Sequence, residues 1–243
     1  MTTELSPPKG HGLVRVAHNL RVHVNDPRDW ALVVGTDYWA NFGGVGLIEA
    51  GVHDLDLNDW VTAGFSHTVG SGADFLASDD VGTTGGLNLD AADDFINSPF
   101  IFGDYAHALL VGQILGHFPT SLSMECYARF AANNNEEATG FGFVEAGSTG
   151  PFAKGDLMAW VTSDGTNFSL ESGAAADAGS TDNTTAHQFK IKVTADNVGW
   201  SIDGTQQGTI ALQEDLWPVA WAASTVTGGG NDPVISWVHI WYE

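Results

Sequence analysis

Phe189-Lys190-Ile191-Lys192-Val193, a turn at Asp196-Asn197, Val198-Gly199-Trp200-Ser201-Ile202 and a second turn at Asp203-Gly204 read as a β-meander. Large apolar residues alternate with polar or small ones in both runs, the period of a strand that buries one face. Asp-Gly supplies the positive φ that a tight hairpin turn needs.

The same grammar extends in both directions from this stretch. Ala159-Trp160-Val161-Thr162 and Asn167-Phe168-Ser169-Leu170 flank a second Asp-Gly turn at Asp164-Gly165. Further strands read at Leu20 to Val24, Gly86-Leu87-Asn88-Leu89-Asp90, Leu122 to Phe130 and Thr139 to Val144. Residues 131–138 are polar and read as a hairpin loop between the last two. Gly70 to Thr84 and Gly173 to Thr185 are small-residue acidic stretches that read as loops. In Val234 to Tyr242, one side collects Val234, Ser236, Val238, Ile240 and Tyr242, and the other Ile235, Trp237, His239 and Trp241. Both sides are largely apolar, which predicts a central strand. No capped run of helical period interrupts these segments, so the expected class is all-β, an antiparallel β-sandwich. With 243 residues, nine Trp and thirteen Phe, the chain has material for one large core.

Charge separates the N-terminus from the rest. Residues 1–28 carry four basic residues (Lys9, Arg15, Arg21, Arg28) against Glu4 and Asp26, a balance of +2. Residues 29–243 carry four basic against 28 acidic residues, or −24. The expected organisation is therefore an N-terminal extension or docking arm over 1–28 and a single sandwich over 29–243; a first strand paired within the sandwich is the simpler alternative for Leu20 to Val24. The overall charge of −22 makes nucleic acid and anionic membrane poor partners, and neither is expected. Such self-repulsion is screened at molar salt, where the Debye length is ~3 Å. The Asp-rich, Lys-poor composition resembles that of proteins from salt-loving organisms. The start MTTELSPPKG has no apolar signal core, and no run approaches a membrane span. Cys126 stands alone, on the apolar side of its strand, and reads as a buried structural thiol.

The Gly86 to Asp90 strand, the pair Leu122 to Phe130 and Thr139 to Glu145, Phe189-x-Ile191-x-Val193, Trp200 to Gly204 and the closing strand through Trp237-Val238 together resemble a concanavalin A-like jelly roll. Legume lectins, laminin-G modules and several glycan-degrading families share that fold, which does not fix function. Similar domains occur as surface proteins of tailed viruses. This resemblance, with the charge-distinct N-terminus and the missing signal peptide, implies a non-enzymatic virion surface protein: a capsid decoration, turret or fibre component. It would be homo-oligomeric, attached to other virion proteins on the exterior of capsid or tail, with a host-surface glycan as a further ligand. A carbohydrate-binding lectin domain is the alternative, and a glycan-cleaving enzyme the third reading.

Catalytic patterns are sparse. Glycoside hydrolysis needs two carboxylates flanking the bond, and Glu125 with Glu145 is the only pair worth naming; solvent-facing strand carboxylates are the simpler reading. A Q-I-H strand is lacking, because Gln113-Ile114 is followed by Leu115. The nine His show no zinc spacing, so the expectation is no catalytic residue and no bound cofactor. If an ion binds, hard carboxylates suit calcium, held by Asp54, Asp56 and Asp59 or by Asp90, Asp93 and Asp94. The first set opens like an EF-hand loop but has Asp59 where Gly is required and Phe65 where the bidentate Glu belongs. For glycan contact, Tyr38, Trp39 and Trp60 lie in Gly- and Asp-rich surroundings, whereas Trp160, Trp200 and Trp237 read as core. A chain adapted to high salt has a melting temperature that climbs steeply as NaCl rises into the molar range; a flat or falling thermal-scan series would refute that adaptation.

Overall fold

The computed structural model describes residues 13–16, 20–23, 31–34, 37–41, 66–68, 74–76, 86–89, 94–102, 116–130, 139–148, 150, 152–163, 165–213, 219–226 and 233–243. Two antiparallel sheets face one another, as an all-β sandwich requires. The shorter strands are β1 (Leu13–Val16), β2 (Leu20–His23), β3 (Ala31–Val34), β4 (Asp37–Asn41), β5 (Ser66–Thr68), β6 (Asp74–Leu76) and β7 (Gly86–Asn88). After β8 (Asp94–Phe102) come β9 (Ser121–Phe130), β10 (Gly140–Glu145), β11 (Leu157–Ser163) and β12 (Asn167–Ser172). The remainder are β13 (Ala175–Thr181), β14 (His187–Thr194), β15 (Asn197–Ile202), β16 (Thr205–Ala211), β17 (Val219–Thr225) and β18 (Pro233–Tyr242). One sheet runs β13-β12-β11-β10-β17-β8-β5. The other runs β16-β15-β14-β9-β18-β4-β3, with β7 on β18 and β6 on β7. Strands β1 and β2 pair with each other as a separate two-stranded sheet.

The predicted meander is β14-β15-β16, and Asp203-Gly204 closes its second hairpin with φ of 49° and 77°. Both values are positive, as a two-residue primed turn demands. Leu122, Met124, Cys126, Ala128 and Phe130 of β9 point into the core, joined by Phe189, Ile191 and Val193 of β14. Phe130 and Phe189 from this sheet meet Phe141 and Phe168 from the other. Ring centroids lie 5.8 Å apart for Phe130–Phe141, 5.4 Å for Phe141–Phe189 and 5.2 Å for Phe168–Phe189. Aromatic pairs at this spacing are worth ~0.5–1.5 kcal/mol each beyond their buried area. Cys126 is fully buried, and desolvation holds its thiol pKa well above the ordinary value, so it is the inert structural thiol expected.

Three expectations are corrected. Strands β9 and β10 do not pair as the hairpin expected around residues 131–138, which lie outside the described residues, since β9 already has β14 and β18 on its two edges and β10 has β11 and β17. No edge is open for β9 and β10 to pair, and the two strands belong to different sheets. The stretch Gly173 to Thr185 holds β13 rather than a loop, and Gly70 to Thr84 contains β6. Small residues in β13 hid its strand character, yet they are what the packing needs: a Cβ on Gly179 would lie 2.7 Å from the Trp200 ring. Finally, a bulge at Ser236 inserts an extra residue between the Ile235–Ala128 and Trp237–Tyr127 pairs. Side-chain parity flips there, so Ile235 joins Val238, Ile240 and Tyr242 in the core instead of siding with Trp237.

The two sheets differ on their outer faces. On the β10-β11-β17 side a second apolar cluster of Phe95, Val144, Phe152, Leu157, Trp160, Ala220 and Ala222 covers the sheet. Strands β11 and β17 are consequently buried along their whole length. On the other sheet, β14 and the stretches of β9 after Met124 and of β18 after Ser236 alternate between buried and more exposed residues. Replacing Phe189 by Ala removes the ring that touches all three of its partners, and should cost ~3–5 kcal/mol in denaturant unfolding; a loss below ~1 kcal/mol would show that the quartet does not clamp the sheets.

Candidate functional site

The outer face of the nine-stranded sheet carries three parallel rows of side chains, set by register. Ser123 of β9 lies between Lys192 of β14 and Trp241 of β18. Glu125 lies between Lys190 and His239, and Tyr127 between Gln188 and Trp237. Each row is dictated by the core beneath it, because Leu122, Met124 and Cys126 take the inward positions of the same strand.

Aromatic rings line the β18 side of this face. Tyr127 stacks on Trp237 across the strand pair, with centroids 6.4 Å apart and planes 15° from parallel. His239 stacks on Trp241 at 4.5 Å. The Lys190 ammonium stands 4.8 Å from the centre of the Trp241 ring, a cation–π contact that limits where the flexible side chain goes. The carboxylate of Glu125 at the centre accepts a hydrogen bond from the Gln188 amide at 3.2 Å and pairs with Lys190 at 3.5 Å. It is about one-quarter exposed, within reach of a ligand laid on the face.

Two carboxylates anchor the ends of the rows. Glu243 binds Lys192 at 2.5 Å and accepts from Trp241 Nε1 at 3.0 Å. Those two hydrogen bonds outweigh desolvation and hold its pKa below the usual value. At the other end, the Gln188 N–H donates to Asp203 Oδ1 at 2.9 Å, and Asp203 Oδ2 contacts His187 Nδ1 at 2.6 Å. Burial pushes the Asp203 pKa up, but the bonds from His187 and from the Gln188 N–H more than offset it, leaving the carboxyl below its ordinary value. Asp203 thus fixes the backbone of Gln188, whose side chain reaches Glu125.

Against the expected site residues, the structure brings together a largely different set. In backbone register Trp39 stands opposite His239 and Tyr38 opposite Ile240. Trp60, Asp54, Asp56, Asp59, Asp90 and Asp93 lie outside the described residues, while Asp94 opens β8 opposite Thr225. Among the described residues no three His, Cys, Asp or Glu side chains cluster as a metal site would require. Glu125 and Glu145 do not form a pair, because β9 and β10 belong to different sheets. Trp160 and Trp200 are core residues, as read, but Trp237 is half-exposed on the outer face. Trp237, His239 and Trp241 were visible as one side of the final strand. Their apolar character concealed that this side is open.

No family model matches the chain, and no curated protein matches it in sequence. Solved structures that it resembles include the conserved carbohydrate esterase of Shiga toxin-encoding bacteriophage phi24B, at 10% identity and TM-score 0.48 over 78% of this chain and 95% of that one. The Crh5 transglycosylase in complex with NAG is 13% identical at TM-score 0.47, over 89% and 90% of the two chains. The alginate lyase from Corynebacterium sp. is 10% identical at TM-score 0.45, over 72% and 83%. The expectation of a non-enzymatic protein is corrected by this finding, since the matched structures are described as glycan-cleaving or glycan-modifying enzymes. At such identities the likeness is one of fold and transfers no residue's role. No helix among the described residues is long and apolar enough to cross a membrane.

Both anchoring carboxylates have lowered pKa values in the folded state. Their contribution is complete above the ordinary carboxylate pKa of ~4 and disappears as pH falls through the lower folded values. The wild-type melting temperature should therefore drop on acidification below about pH 4, whereas a D203N/E243Q variant should start lower at neutral pH and fall less. Parallel curves for the two proteins would contradict these assignments.

Proposed function

We propose that the outer face of the nine-stranded sheet binds a glycan chain and that Glu125 carries out proton transfer on it. The observation that carries this reading is the juxtaposition of half-exposed aromatic rings with hydrogen-bonding side chains in adjacent register rows. Sugar rings present apolar C–H faces and polar edges. Trp237, Trp241 and Tyr127 supply flat surfaces for the first, and Gln188, Glu125 and His239 supply donors and acceptors for the second. The opposite sheet offers no such surface along β11 and β17, which are buried throughout.

Glu125 is the carboxylate at the centre of the face, flanked in register by His239 and by the Lys190 ammonium. A carboxylate next to an imidazole and near the phenol of Tyr127 forms a set of groups suited to general acid–base work on a sugar bond. A role on a virion surface is compatible with this face, which would then engage host glycan, and the basic N-terminal segment would serve attachment.

Substitutions separate binding from chemistry. Trp237→Ala and Trp241→Ala should each weaken polysaccharide binding about tenfold or more, a loss of ~1.4 kcal/mol or above, measured by titration calorimetry across a glycan panel. Glu125→Gln should keep binding and abolish release of new sugar ends or of ester groups. Undiminished turnover by the Gln variant would remove Glu125 from the chemistry. Silence of the wild-type chain across the panel would remove the glycan reading altogether.

A further inference from the structure

Beside the aromatic rows, β14, β15 and β16 enclose an open cleft of about 390 Å3, within the ~300–1,000 Å3 typical of small-ligand sites. Lys190 and Lys192 form one wall, Gly199 and Ser201 the middle, and Gln206 and Thr209 the far wall. No lining residue is acidic. In a chain with 30 acidic and only eight basic residues, two ammonium groups fall on consecutive outward positions of one strand, each balanced by a carboxylate that does not line the cleft.

The ammonium groups retain capacity for a ligand. Each has three N–H donors, and the contacts of Lys190 with Glu125 and of Lys192 with Glu243 lie at the rim on the β9 and C-terminal side. Those two carboxylates also have neutral partners in Gln188 and the Trp241 indole. An incoming anion can therefore share the ammonium groups without leaving either carboxylate bare. Across the cleft, Gln206 is held by its amide N–H on Gly208 O at 2.9 Å.

The room in the cleft comes from Gly199. A Cβ placed there would meet Thr209 Oγ1 at 3.6 Å and Gln206 Nε2 at 3.8 Å, ordinary contacts. Nothing in the packing demands glycine at this position. A longer side chain would extend into the cleft.

We propose that this cleft is a subsite for the anionic group of an acidic polysaccharide, either a uronate carboxylate or a sulfate ester. The polymer would continue across the face over Trp241 and Trp237. The proposal rests on the glycan reading above and narrows its ligand class.

The test uses the full chain at the lowest salt that preserves its thermal transition, with three polymers of matched length: an unsubstituted neutral glucan, a polyuronate and a sulfated galactan. At least one acidic polymer should bind tenfold or more tightly than the neutral one, and added NaCl should weaken only the acidic complex. Lys192→Gln and Gly199→Leu should each bring the preference below threefold, while affinity for the neutral polymer holds. Lys192 is a surface residue, so its variant remains informative even where the leucine variant fails to fold. The polyuronate and sulfate arms identify which anion is preferred. Equal or better binding of the neutral glucan, or an acidic preference that survives Lys192→Gln, would overturn the subsite and leave the glycan face standing. Failure to bind any of the three, with no glycan bound on the wider panel, would overturn both.

Discussion

Everything on the outer face depends on the inward anchoring of β9, β14 and β18. A strand has a side-chain period of two, so committing Leu122, Met124, Cys126, Ile191, Val238 and Ile240 to the core commits Ser123, Glu125, Lys190, Lys192, His239 and Trp241 to the opposite side. The phenylalanine quartet makes that choice firm, because it locks Phe130 and Phe189 against Phe141 and Phe168 of the facing sheet. A one-residue slip would bury Glu125 and Lys190 and expose the apolar row.

The sandwich is asymmetric. The middle of one sheet is covered on both sides along β11 and β17, with the Phe152 ring packed edge-on to Trp160 and Phe95 at 5.7 and 5.9 Å. The register of that sheet is tight as well: a Cβ on Gly142, whose φ is 154°, would overlap the carbonyl oxygen of Ala159. The second sheet spends its buried side on the shared core and leaves the other side to polar and aromatic groups. This division explains how one molecule holds a large apolar interior and still offers a chemically varied surface. The sheets are also joined along one flank, where Trp200 Nε1 donates to Asp177 Oδ2 at 2.8 Å and the Ser180 N–H to Gln207 Oε1 at 2.8 Å.

Charge adds a second layer of organisation. The chain carries −22 overall, yet three of the four basic residues after position 28, Arg129, Lys190 and Lys192, belong to β9 and β14. The C-terminal residue closes the same region, since the Glu243 N–H donates to Ser121 O while its own carbonyl accepts from Thr120 and Ser121. Acidic groups dominate the molecule, and the balanced charges of this face are set by paired contacts.

The all-β class, the β14-β15-β16 meander, the Asp203-Gly204 turn and the buried Cys126 were determined by sequence alone. They rest on local rules: period-two alternation and the φ requirements of tight turns. The strand status of β13 was not legible, because its small residues give no apolar alternation, and the glycine at 179 is required by Trp200, a residue distant in sequence. Nor was the separation of β9 from β10, which follows from both edges of each strand already being taken. Alternation grouped Trp237, His239 and Trp241 on one side of β18, but the bulge at Ser236 set which core residues oppose them. Only the tertiary structure decided that this side is open while the corresponding side of β11 is covered. Pattern shows which residues share a face; what lies against that face depends on chain brought there from elsewhere.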